Sequence, residues 1–429
     1  MQLSDIKKVH FVGVGGIGMS ALARLFLQEK KVVSGSDRAL SEITAQLEQE
    51  GITVFGSQVK ENIVSDIDLI VYTEAMAHDQ EEMVAAKALG VPMVNYFDAL
   101  GMVANEYYLI AVAGSHGKTT TTAMIIDIFE SAGFDPSAIV GSLRATTKSN
   151  YRKGKSKYFI VEACEYKRDF LSLTPDVLVI TNVEHEHVDY YKSLQEVQGA
   201  FREFASQVRE GGVVILNFGG ENMAPILEGV GVSIIDYGKY FNPTLKLRVP
   251  GMHNQMNAAA AFAVAAFVGI EKEVATTSLE HFAGTWRRFE YKGKVNGALV
   301  YDDYGHHPTE IKATIAGARE LYPDRKITLV FQSHTYSRTH ELFDNFVDAL
   351  GTANTIILLP IYAAREENIS GVTHTKLADA LHKKNKQVLP FDSFDEVVKE
   401  LKMHVGANDL VLVMGAGDVS EVSKRILNK

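Results

Sequence analysis

The stretch Gly114-Ser115-His116-Gly117-Lys118-Thr119-Thr120 places glycines, a lysine and hydroxyls where a β-rich run from Tyr107 to Gly114 gives way to a threonine-rich helical pattern from about Lys118 to Ser131. A helix that starts there leaves backbone N–H groups and the positive end of its dipole facing the loop, which suits a phosphate. Lys118 can neutralise phosphate charge, and the Thr119 hydroxyl can join the oxygen shell of Mg2+. The loop is a shortened variant, because the commoner pattern needs a glycine at position 112, where Val112 stands. Its physics survives the shortening, so the expectation is an enzyme that uses ATP and Mg2+.

A second glycine-rich turn, Gly13-Val14-Gly15-Gly16-Ile17-Gly18, follows the run Val9 to Gly13 and opens a helix through Met19 and Ser20. Glycines in that context let a backbone approach a diphosphate, and Asp37, at the end of the next run, stands where an acid reads a ribose. Taken alone, the turn describes a nicotinamide-dependent oxidoreductase, and its structural reading is a tight strand-to-helix turn.

Carboxylates and histidines follow the phosphate loop. Glu162 ends the run beginning at Tyr158, and His187 closes Thr181-Asn182-Val183-Glu184-His185-Glu186-His187, just past another run. Both are expected at the carboxyl edge of one sheet, where Glu162 suits Mg2+ better than His187 does. Zinc is disfavoured by the single cysteine, Cys164, and the lack of a third well-spaced ligand. Further on, Arg287-Arg288-Phe289-Glu290 precedes Asp302-Asp303-Tyr304-Gly305-His306-His307-Pro308. Adjacent strand residues face opposite ways, so these acids and histidines fit a nucleotide or substrate wall better than one metal site.

The elements that must hold these residues are α/β. Short apolar runs at Val9 to Gly13, Lys31 to Val33, Ile52 to Phe55, Asp68 to Tyr72 and Val91 to Tyr96 alternate with helical patterns, as in a parallel sheet wound with helices. Runs at Tyr158 to Ala163 and Val177 to Asn182 continue a second unit, which an alanine-rich helix from Asn254 to Gly269 closes near His281-Phe282-Ala283-Gly284. Runs at Ala298 to Tyr301, Ile327 to Phe331, Thr355 to Leu359, Val388 to Phe391 and Leu410 to Met414 form a third, with a helix at Pro308 to Leu321. The expected division is 1–106, 107–284 and 285–429, with Rossmann-like first and last domains around a P-loop-type ATPase domain. A chain of 429 residues exceeds one ordinary core, and 46% hydrophobic content supplies enough apolar surface for three. The net charge of −10 excludes a broad nucleic-acid footprint. One cysteine forbids an intrachain disulfide, and neither a secretory signal nor a bilayer-length apolar run is present, so a cytoplasmic enzyme without membrane insertion is expected.

The stretches GVGGIGMSALA, GSHGKTTTTAM, VEACEY, TNVEHEHVDYY, VPGMHNQMNAAAA, GTWRRFE, DDYGHHPTEI, FQSHTYSRT and MGAGDVSEV, in this order and over nearly the whole length, resemble the Mur ligase family of peptidoglycan synthesis. The resemblance implies that the first turn, with Gly13, Gly15, Gly16, Ile17, Gly18, Met19, Ser20 and Asp37, holds a UDP diphosphate instead of NAD. It implies that Gly114 to Thr120, with Asn254, Asn257, Arg288 and Asp303, surround ATP. It places Thr119, Glu162 and His187 at the metal, and assigns catalysis to Lys118, Glu162, His187 and Arg288. His306, His334 and Arg338 become candidates for the carboxylate of an incoming amino acid.

The reaction implied for the alanine-adding branch converts the lactoyl carboxylate of UDP-N-acetylmuramate to an acyl phosphate with ATP. The amine of L-alanine then attacks, with a third domain closing over both substrates and the protein acting as a monomer or homodimer. The alternative within the family is the recycling ligase that attaches a murein tripeptide, but His334-Thr335-Tyr336-Ser337-Arg338-Thr339 looks more like the alanine-adding branch. Two departures stand out: Glu186 replaces the usual Asp beside His185, and the chain between Asp236 and Val249 is short, so part of the central domain is expected to be trimmed.

Overall fold

The computed structural model describes residues 3–73, 76–77, 79–187, 190–364, 366–384 and 386–428, which pack as two compact units. The first comprises Met1–Glu186, Ser193–Phe241 and Ala258–Leu279, and the second His187–Lys192, Asn242–Asn257 and Glu280–Lys429.

The first unit contains two sheets. Strands β1 (Lys8–Val12), β2 (Val32–Ser36), β3 (Thr53–Phe55), β4 (Leu69–Tyr72) and β5 (Met93–Asn95) form a parallel sheet in the order β3-β2-β1-β4-β5. Helices α1 (Ile17–Gln28), α2 (Glu42–Gln49), α3 (Glu81–Leu89) and α4 (Tyr96–Ala104) connect it. Central strands carry near-continuous apolar runs, such as Leu69-Ile70-Val71, because helices cover both faces and bury them fully. The strand order reverses at β1, so the turn after β1 opens at the switch point, where ligands of such sheets bind.

The second sheet contains β6 (Tyr108–Ala113), β7 (Ser137–Ile139), β8 (Tyr151–Arg152), β9 (Tyr158–Glu162), β10 (Val177–Ile180), β11 (Val213–Leu216) and β12 (Ser233–Asp236). Their order is β12-β11-β10-β6-β9-β7-β8, and only β8 pairs antiparallel. Helices α5 (Lys118–Ser131) and α6 (Leu194–Ser206) belong to this layer. Register puts Val112 beside Glu162 and Ala113 beside Ile180, so the loop after β6 is flanked by the ends of β9 and β10. Gly101 of α4 joins the two layers: a Cβ there would fall 2.3 Å from the Ser172 carbonyl oxygen. Between Tyr240 and Met252 no strand or helix intervenes.

Helices α7 (Met252–Val268) and α8 (Lys272–His281) each carry the chain across the division between the units. The second unit is built on β13 (Glu290–Val295), β14 (Ala298–Asp303), β15 (Lys326–His334), β16 (Thr355–Tyr362), β17 (Gln387–Pro390) and β18 (Asp409–Met414), in the order β13-β14-β18-β15-β16-β17. The pairing of β13 with β14 is antiparallel and the others are parallel. Alternation divides two cores: Leu329, Phe331, Leu410, Leu412 and Met414 face one side, and Val330, Val411 and Val413 the other. Helices α9 (Pro308–Leu321) and α10 (Tyr336–Glu341) start beyond the carboxyl ends of β14 and β15. The expected α/β class with Rossmann-like first and last sheets is borne out. Among the described residues no helix is long and apolar enough to cross a membrane.

Candidate active site

At the first turn, Gly13 has φ +87, and the N–H groups of Gly13 and Val14 donate to the Ser36 carbonyl at 2.8 and 2.9 Å. Helix α1 then begins at Ile17, and its N-cap Gly16 supplies no side-chain cap, leaving the first N–H groups for an anion. Gly15 N donates to Asp37 Oδ2 at 2.9 Å and Ala39 N to Asp37 Oδ1 at 3.1 Å, so the predicted ribose-reading acid is hydrogen-bonded to backbone on both oxygens. A Cβ on Gly15 would meet Asp37 Oδ2 at 2.8 Å. Met19 and Ser20 are buried, with Ser20 Oγ donating to the Ile17 carbonyl. Their side chains therefore support the turn from within.

At the second turn, Gly114 has φ +136, and a Cβ there would fall 2.0 Å from Thr181 Oγ1. The segment after β10 laces this loop. His116 N donates to Asn182 Oδ1 at 2.9 Å, the His116 carbonyl accepts from Thr181 Oγ1 at 2.6 Å and Asn182 Nδ2 at 3.0 Å, and Ser115 N donates to the Asn182 carbonyl at 3.0 Å. From the far side the Tyr237 hydroxyl donates to the Thr181 carbonyl at 2.5 Å. Gly117, at φ +83, turns the chain into α5 without a side-chain cap. This holds the N–H groups at the start of α5 in a fixed anion cradle.

Lys118 Nζ donates to the carbonyls of Gly114 and Ser115 and lies 2.9 Å from Glu165 Oε2. Burial opposes its charge, but the Glu165 carboxylate, with Cys164 and Glu162, outweighs that and holds the ammonium above the usual lysine range. Beside it, Thr119 Oγ1 donates to Glu162 Oε1 at 3.0 Å, while Gly141 N donates to Glu162 Oε2 at 2.8 Å. Thr119 and Glu162 are thus brought together as expected, on oxygen donors of the type Mg2+ prefers. His187, at φ +52, falls in the second unit. Val188 and Asp189 of the TNVEHEHVDYY stretch lie outside the described residues.

The other predicted residues lie in the second unit. Asn254 Nδ2 donates to the Pro250 carbonyl at 2.7 Å, and Asn257 Nδ2 to Asn254 Oδ1 at 3.3 Å, on the first turns of α7. The two neighbouring acids of β14 face opposite ways, as expected. Asp302 Oδ1 accepts from Arg287 Nε at 3.1 Å, whereas Asp303 accepts from the N–H groups of Phe289 and Gly305, both at 2.7 Å. Burial pushes the Asp303 carboxyl up to about 6 despite Arg288 and those two N–H groups. Arg288 spreads over the Tyr304 ring and reaches Glu310 Oε1 at 3.4 Å. The amino-acid candidates also converge: His306 and His334 rings are 5.9 Å apart, His334 stacks on Tyr362, and Arg338 Nη1 lies 3.4 Å from His334 Nδ1. Burial, then Arg338, holds the His334 imidazole below its usual range.

Sequence reasoning missed Glu165 as the partner of Lys118, the lacing by Thr181 and Asn182, and Glu310, which joins Arg288 to the backbone of His306. All were inside motifs already singled out. Their side-chain directions come from the sheet edge rather than the motif.

Residues 8–108, 112–243 and 287–417 match, in turn, the Mur ligase family catalytic domain, the Mur ligase middle domain and the Mur ligase glutamate ligase domain. The UDP-N-acetylmuramate–L-alanine ligase of Agathobacter rectalis is 42% identical over 449 aligned residues, covering 98% of each chain. That of Caldanaerobacter subterraneus is 39% identical and covers 100% of this chain and 99% of its own. The crystal structure of the UDP-N-acetylmuramate-alanine ligase of Thermotoga maritima is similar with a TM-score of 0.80 and 29% identity, over 98% of each chain. The murein peptide ligase of Psychrobacter arcticus is similar with a TM-score of 0.70 and 25% identity, over the same share. With all three domain types present in order and relatives matched end to end, this chain belongs to the Mur ligase family.

Proposed function

We propose that this chain joins L-alanine to the lactoyl carboxylate of UDP-N-acetylmuramate at the expense of ATP. The observation that carries the reading is the phosphate loop, held rigid by Thr181 and Asn182, with Lys118 and the Thr119–Glu162 pair at its mouth. The first turn binds the UDP diphosphate on the N-terminal N–H groups of α1, and the loop after β6 binds the ATP phosphates on those of α5. Asn254, Asn257, Arg288 and Asp303 serve the nucleotide, and His306, His334 and Arg338 the carboxylate of L-alanine. The domain boundaries follow at 106/107 and 284/285. The enzyme acts in the cytoplasm as a monomer or homodimer.

A carboxylate is a poor acyl donor. An oxygen of the lactoyl carboxylate attacks the γ-phosphorus, the bond to the departing ADP oxygen breaks, and an acyl phosphate results. The alanine amine attacks the acyl carbon, phosphate leaves with its electron pair, and the amine gives up a proton as the amide forms. Lys118 stabilises negative charge on the phosphoryl oxygens through both displacements. Thr119 and Glu162 are oxygen donors that fit Mg2+ and would hold it, with His187 the further ligand that the family resemblance implies, and the ion would supply positive charge to the phosphate oxygens.

The test is to incubate the protein with ATP, UDP-N-acetylmuramate and either L-alanine or the murein tripeptide, and to weigh the products. Ligation of alanine supports the reading. Product with the tripeptide alone moves the enzyme to the recycling branch, and no ADP with any amine makes it a binding protein.

A further inference from the structure

Tyr96 is the first residue of α4, placed by the Asn95 side chain, which caps the helix by accepting from Asp98 N at 2.9 Å. The residue stands at the carboxyl edge of the first sheet, the same edge as the glycine turn. Its ring packs on the opening turn of α1: a Cβ built on Gly18 would lie 3.2 Å from Tyr96 Cζ and 3.4 Å from its hydroxyl oxygen. The turn is braced from the other layer as well, where Asn150 Nδ2 donates to the Ile17 carbonyl at 2.8 Å. Gly18 thus admits a phenol to the rim of a helix end whose N–H groups have no side-chain cap.

A wall against α1 needs only the ring, and phenylalanine supplies that. The hydroxyl is extra, and it makes no hydrogen bond among the described residues. We infer that Tyr96 is a ligand residue for the sugar nucleotide, its hydroxyl donating a hydrogen bond to the diphosphate held at the first glycine turn. The inference rests on the proposed function for the identity of the ligand, and it adds a side-chain contact to a site otherwise made of backbone.

The experiment is calorimetric binding of UDP-N-acetylmuramate, and separately of UDP, to the wild type and to Tyr96→Phe without ATP. A lost hydrogen bond to a charged oxygen predicts about tenfold weaker binding of both ligands, with the KM for ATP and the unfolding temperature unchanged. Equal affinity in the variant overturns the inference, and so does a loss confined to the full sugar nucleotide, because the contact is then not to the diphosphate. A parallel rise in the ATP KM or a fall in unfolding temperature overturns it too, by making the residue structural. A wild type that binds UDP-N-acetylmuramate but forms no amide overturns the proposed function and leaves this contact standing.

Discussion

Lys118 Nζ and Glu165 Oε2 form an ion pair at 2.9 Å, with Glu165 almost wholly buried. The phosphate-loop lysine therefore has an internal counter-ion before any nucleotide arrives. Removing one partner of a buried pair leaves an uncompensated charge, which costs about 3 kcal/mol. Glu165→Gln should lower the unfolding temperature of the nucleotide-free protein, and ATP phosphates should then supply the missing charge. The check is thermal unfolding with and without ATP: the ATP-induced rise is expected to be larger in the variant, and equal rises would contradict the pairing.

Two glycines should respond to alanine with opposite signs. At Gly114 the left-handed φ and the 2.0 Å approach to Thr181 Oγ1 leave no room, so Gly114→Ala should cost more than about 2 kcal/mol and abolish turnover. Gly199, inside α6, has nothing within 4 Å of a built Cβ, so Gly199→Ala should stabilise by about 0.5–1 kcal/mol with activity intact. Denaturant midpoints of the two variants decide the point.

Asp303 predicts a pH effect whose sign is unusual for a carboxylate. Its folded value is raised from 3.8 to about 6, so between these values the native state holds a proton that the unfolded chain has released. Stability from this group falls as pH rises through that window and is recovered as pH drops. Relative to Asp303→Asn, the wild type should gain on the order of 3 kcal/mol between pH 7 and pH 3.5. Denaturant titrations of both proteins across that range provide the check, and parallel pH curves would show that Asp303 is not shifted.

Much of this arrangement was legible in the sequence. The helices Lys118–Ser131 and Pro308–Leu321 fall where predicted, because Gly117 and His307-Pro308 mark their starts chemically. Strand β13 was missed: Glu290–Val295 is a half-exposed edge strand with two lysines and a glycine, so it has no apolar run to recognise. Glu162 could be placed from its run because a strand end at the carboxyl edge nearly fixes its location. Asp37 shows the limit, since its spacing set it beside the turn but its carboxylate grips the backbone of Gly15 and Ala39. The direction of a side chain depends on neighbours far along the chain, as Glu165 and Lys118 illustrate across 47 positions.

The central claim is that the loop from Gly114 to Thr120 activates a carboxylate for amide formation, and oxygen-18 in the lactoyl carboxylate of UDP-N-acetylmuramate tests it most directly. An acyl phosphate loses its phosphate by cleavage at the acyl carbon, so the wild type with ATP and L-alanine should release phosphate carrying one labelled oxygen. Lys118→Ala should form neither amide nor labelled phosphate while still binding the UDP-sugar. Amide accompanied by unlabelled phosphate, or undiminished turnover in Lys118→Ala, would contradict the account.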